Sequence, residues 1–209
     1  RFIGAGAIGI AAIWTLITLI KPIIEGMKIS VKSMNSSSTE RALHRMDTDM
    51  STKSVIIVFG IILLGLVLTF WDFVSAVPIS AGLMWTLVVV GVVVASLIGF
   101  FVAAACGYMA GLIGTSASPI SGIGILATII SSLVVYFIAS ENNLFATEAG
   151  VQFATAMAIF MTSVVIAIAS ISNDNLQDLK TGQLVGATPW RQQIALLLGS
   201  VAGAVAIAP

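Results

Sequence analysis

Residues Gly107–Gly124 read GYMAGLIGTSASPISGIG, and they stand between two long apolar runs. Five glycines, four Ser/Thr residues and one proline interrupt what would otherwise be continuous hydrophobic helix. At membrane depth such a break is tolerated only where protein or a water-filled cavity receives the freed backbone groups. Ser118-Pro119 reads as a helix start, with Ser118 as N-cap and Pro119 at the first helical position. The free N–H groups of that helix, with the positive end of its dipole, point into the break. Broken helices of this kind build substrate and ion sites in secondary transporters. Gly111, Gly114, Ser116, Ser118, Pro119, Ser121 and Gly122 are therefore candidate site residues. The plainer reading is a short polar loop between two ordinary spans, and spacing alone leaves both open.

Working outward, only 9% of the 209 residues are charged and 58% are hydrophobic, with a mean hydropathy of +1.11. A water-soluble domain of this size needs more polar surface, so the solvent is lipid. The few Lys and Arg residues form no nucleic-acid patch. Cys106 is the single cysteine, which excludes an internal disulfide or a Cys-based metal cluster and leaves a small packing residue. Nothing in the residues calls for a cofactor. The chain opens on Arg1 without Met and stops at Pro209 within an apolar run. It is expected to be one transmembrane domain of a larger protein, whose remaining spans would be its neighbours in the bilayer.

About 20 apolar residues cross a hydrocarbon core. Six runs meet or approach that length: Phe2–Ile20, Ser54–Trp71, Leu83–Cys106, Pro119–Ala139, Gly150–Ile171 and Trp190–Pro209. They do not alternate as barrel strands would. The expected fold is all-α and polytopic, with about six membrane helices and a broken or re-entrant segment near 107–124. Gly4-Ala5-Gly6-Ala7-Ile8-Gly9 matches the dinucleotide fingerprint GxGxxG, but no strand precedes it, and Glu25 lies beyond a Lys21-Pro22 helix stop. Close helix packing is the reading, as for Gly107/Gly111 and Gly199/Gly203.

Lys21–Lys53 is the one long polar segment, expected as a loop with a flexible centre at Ser33–Thr39 and one or two helical turns at Glu40–Met46. Ser51 or Thr52 can cap the second span. His44 has no partner there for a metal site or catalytic pair. Asp72, at the end of the second span in Phe70-Trp71-Asp72-Phe73, belongs either to an interfacial aromatic belt or to a proton site. After the fifth span, Asn173–Lys180 (NDNLQDLK) is dense in amides and carboxylates. If the helix continues there, Asn173 and Gln177 share one face and Asp174 and Asp178 another. The second face could take a cation or proton, with Lys180 as a counter-charge. Helix capping and contact with water are the alternative.

Alternating spans place eight Lys/Arg residues on the side of 21–53 and 172–191 and none in the loops opposite, so the basic side is cytoplasmic. Asp178-Leu179-Lys180-Thr181-Gly182 followed by Val185-Gly186-Ala187-Thr188-Pro189-Trp190-Arg191-Gln192-Gln193 resembles the oligopeptide transporter (OPT) superfamily, in its bacterial and yellow stripe-like members. Arg1–Gly9, Lys21–Gly26 and Gly111–Gly122 fit the same family in the same order. The resemblance implies an internal or C-terminal part of a proton-coupled secondary transporter of oligopeptides or metal chelates. Asn173, Gln177, Asp178 and Lys180 would then serve binding or coupling.

Three function classes follow. A secondary transporter would bind substrate at the break and at Asn173–Asp178, and alternate its access. A channel would use the Gly/Ser loop as a filter around the axis of a symmetric homo-oligomer. A membrane enzyme lacks its chemistry: there is no HExxH and no Ser/His/Asp set.

Overall fold

Backbone polar groups in lipid must be satisfied within the chain, which leaves apolar runs of this length only the helix. The computed structural model describes residues 2–35, 48–113 and 120–207. It has α1 (Phe2–Asn35), α2 (Thr52–Ser75), α3 (Ala81–Ile113), α4 (Ile120–Glu141), α5 (Glu148–Leu184) and α6 (Pro189–Ile207), with a 3₁₀ turn at Leu144–Ala146. All six helices are long and apolar enough to cross a membrane. No strand occurs among the described residues. The chain is an all-α, multi-pass membrane protein. Ser51 caps α2 as expected, its Oγ accepting from the Ser54 N–H at 3.3 Å.

Three helices outrun a bilayer. α1, α3 and α5 hold 34, 33 and 37 residues, roughly 50–55 Å at ~1.5 Å per residue, against a hydrocarbon core of ~30 Å. The excess corrects several expectations. Pro22 lies inside α1, which runs on to Asn35, so Lys21-Pro22 is no helix stop and the polar segment 21–53 begins as helix. A proline frees only the carbonyl four residues before it, and water or neighbouring groups at a membrane edge can take that carbonyl. The expected break does not extend over 107–113 or 120–124. α3 is helical through Gly107 and Gly111, and α4 is helical from Ile120. A glycine costs a helix only about 1 kcal/mol, less than unpaired backbone costs in an apolar medium. Gly114, Ser116, Ser118 and Pro119 lie outside the described residues, as do Glu40–Met46 and His44. α2 runs one turn past Asp72, whose carbonyl accepts from Ser75 Oγ at 2.9 Å.

α5 is the hub: α3 and α4 pack along it, α6 meets it at one end, α2 lies on α3, and α1 lies on α4 and α3. Small residues recur every fourth position along α3, at Gly91, Ala95, Gly99, Ala103, Gly107 and Gly111. Such a stripe lets helix backbones approach closely. A Cβ at Gly99 would lie 2.7 Å from Ile168 of α5, and one at Gly107 would lie 3.0 Å from Ser172 Oγ. Of the glycines read as packing residues, Gly9 meets Ile125 and Gly107 meets α5. Gly4, Gly6, Gly111, Gly199 and Gly203 have nothing within 4 Å of a Cβ position.

The two ends of the bundle differ. At the end holding Asp72, Glu141 and Glu148, Phe73 stacks on Phe160 at 4.3 Å and Phe70 meets Phe160 edge-on at 5.0 Å. Phe153, Met157 and Met161 are buried with them. At the basic end the core thins to Val102, Cys106, Ile123, Ala127, Val165 and Ala169. With Cys106→Ser as background, Lys53→Cys and Asn142→Cys are expected to react with a membrane-impermeant maleimide from opposite sides. Reaction of both from one side would overturn the alternating arrangement.

Candidate functional site

The polar tail of α5 stays helical because its first turn is tied to α3. Ser172 Oγ donates to the Ala103 carbonyl at 2.7 Å, a reach that the missing side chain of Gly107 permits. The helical continuation sorts the next residues by face. Asn173 is 1% exposed, with Nδ2 donating to Asp174 Oδ1 at 3.3 Å, and Gln177 is half-buried. Asp174 and Asp178 are exposed. Lys180 Nζ donates to Gln183 Oε1 at 3.2 Å, so its partner is an amide and not a carboxylate.

α5 closes on Gly186 at φ +76, the left-handed position that favours glycine at a helix end. The Ala187 N–H returns to the Gly182 carbonyl at 2.9 Å, and α6 starts on Pro189, the usual place for a helix proline. This turn brings α6 against the segment before α2. The Trp190 N–H donates to the Thr48 carbonyl at 3.1 Å. Gln193 Oε1 accepts from the Met50 N–H at 2.9 Å while its Nε2 donates to Asp49 Oδ1 at 3.2 Å. Both ends of one carboxamide are thus used, which fixes its orientation.

Two neighbouring clefts result. The first, about 260 Å³, has Asp49, Lys180 and Gln183 on its polar side and Leu176, Leu179 and Pro189 on its apolar side. The second, about 400 Å³, is apolar and lined by Ala103, Ala104, Gly107, Tyr108 and Leu112. Gly111 and Leu176 belong to both.

Of the residues expected from sequence, Gly111 and Lys180 come together here, with Asn173 and Gln177 on the same helix. Asp178 lies outside the cleft wall. Ser121 is exposed at the start of α4, and Gly122 faces Ala12 of α1. Asp72 sits at the opposite end of the bundle. Asp49, Gln183 and Gln193 were not expected; Asp49 and Gln193 are 144 residues apart and share no motif.

The chain matches the family described as "OPT oligopeptide transporter protein" over residues 1–209. It is 53% identical over 209 residues to a Haemophilus influenzae protein described as "Putative oligopeptide transporter". That match covers 100% of this chain and 33% of the relative, so the chain spans about a third of the relative's length. No solved structure matches the chain.

Proposed function

Because the chain belongs to the OPT oligopeptide transporter family, we propose that the whole protein is a secondary transporter of oligopeptides and not an enzyme. In this reading the 209 residues form one transmembrane domain, and its basic end faces the cytoplasm of a bacterial inner membrane. The observation that carries the reading is the contrast between the two ends. At the basic end a cleft carrying Asp49 and Lys180 opens between α3, α5 and the start of α6, whereas at the other end phenylalanines stack and the cleft between α4 and α5 is lined by no charged side chain. A charged cleft open at one end is what one state of an alternating-access carrier would present.

Protons drive the transport, and Asp178 carries them. Its carboxylate is exposed on α5, two residues before Lys180 and outside the lining of the cleft. In liposomes holding the full-length protein, an inward proton gradient is expected to accumulate members of a peptide pool. Accumulation of a metal–nicotianamine-type chelate in place of every peptide would move the substrate to that class. Asp178→Asn is expected to lower gradient-driven uptake by about tenfold or more, because an amide neither takes nor gives the proton. Exchange at equal pH should continue. Equal loss of both, with unchanged protein in the membrane, would make Asp178 structural.

A further inference from the structure

We propose that the polar cleft is a charge clamp for a short peptide with both termini free: Asp49 takes its ammonium group and Lys180 its carboxylate. The apolar cleft behind Gly111 receives a side chain. This assignment rests on the transporter reading and deepens it.

Asp49 and Lys180 carry opposite charges and line the same cavity, yet they do not pair with each other. Asp49 accepts from Gln193, and Lys180 donates to Gln183. Both partners are neutral carboxamides, which satisfy a hydrogen bond without cancelling a charge. A ligand bearing both charges exchanges those two bonds to neutral amides for bonds in which both partners are charged. A simple cation or anion gains at one residue and is repelled by the other. A zwitterion is favoured at both.

Asp49 is also held in place independently of its own carboxylate. The Met50 N–H on Gln193 Oε1 and the Trp190 N–H on the Thr48 carbonyl fix the backbone on either side of it. Letting go of Gln193 Nε2 therefore frees the charge without freeing the segment, so little ordering remains to oppose binding.

Size agrees with the charge pattern. The polar cleft of about 260 Å³ equals roughly nine water molecules at about 30 Å³ each, which suits a dipeptide backbone. The neighbouring apolar cleft of about 400 Å³ accommodates a residue such as leucine. Gly111 lines both, and nothing lies within 4 Å of a Cβ position there. A phosphoethanolamine headgroup with its acyl chain shares this chemistry, so the test must separate the two sources.

The test uses the full-length protein purified in detergent and titrated calorimetrically with alanyl-leucine. N-acetylated, C-amidated and doubly blocked forms follow, with glycerophosphoethanolamine as competitor. Each single block is expected to weaken binding about tenfold or more, the size of one lost charged hydrogen bond. Asp49→Asn should abolish the preference for a free amine and keep that for a free carboxylate; Lys180→Gln should do the reverse. Equal binding of free and doubly blocked peptide to the unaltered protein would overturn the clamp without any variant. So would loss of both preferences in each variant, or tight binding of glycerophosphoethanolamine alone. Liposome uptake separates the levels. Accumulation of free and blocked peptides alike leaves the transporter reading standing and removes the clamp, whereas no peptide accumulation removes both.

Discussion

Gly150→Val is expected to leave little or no folded protein, because the new side chain would occupy space already filled by backbone. A Cβ at position 150 would overlap the Leu144 carbonyl and come within 3.1 Å of Thr147 Oγ1. A flexible side chain could turn aside, but the 3₁₀ turn at Leu144–Ala146 cannot. It is entered through Asn143 in a left-handed conformation, φ 52, and left through Thr147, which caps α5 by accepting from the Gly150 N–H at 3.1 Å. Making room means opening the turn and losing that cap, worth about 1 kcal/mol. A clash above the ~1–3 kcal/mol of an overpacked core adds to it. Since α5 is the helix on which α3 and α4 pack, the register of the whole bundle goes with the turn. In detergent the monodisperse full-length protein should vanish or lose its fold at a clearly lower temperature. Unchanged thermal stability would mean that the turn is not held as described.

Gly111→Leu is expected to have the opposite profile: normal folding and membrane insertion, with peptide uptake lost. No atom lies within 4 Å of a Cβ at 111, so the helix accepts a side chain without strain, and leucine is the better helix former by close to 1 kcal/mol. The added isobutyl group would stand in the wall that the polar and apolar clefts share. A substrate that spans both would be excluded, whereas Gly111→Ala should retain part of the uptake. Measured on full-length protein in liposomes, full uptake by Gly111→Leu would show that substrate does not pass this junction.

Uniform apolar runs made six membrane helices legible, because in lipid a long apolar segment has one backbone solution. Helix ends were far less legible. Hydropathy marks where a chain leaves the hydrocarbon, not where it stops being helical, so α1 passed Pro22 and α5 passed Ile171 by thirteen residues to Leu184. Glycine density misled in the same way at Gly107 and Gly111, where small residues serve close approach and open space within an intact helix. Lys180 and Gly111, which line the candidate cleft, were marked by local composition and family resemblance. Asp49 was not, because its place in the cleft depends on Gln193 arriving from 144 residues away, and an acid in a polar segment carries no mark of that pairing.

The stacked phenylalanines hold one end of α5. α5 is gripped at Phe153 and Phe160, and Lys180 lies twenty residues beyond, roughly 30 Å along the same rod. A tilt of about 10° around the gripped end therefore swings the lysine about 5 Å sideways, close to one helical turn. The aromatic end hardly moves in such a swing. Because α3 and α4 pack along α5 and Ser172 is tied to Ala103, any such tilt would have to carry those helices with it.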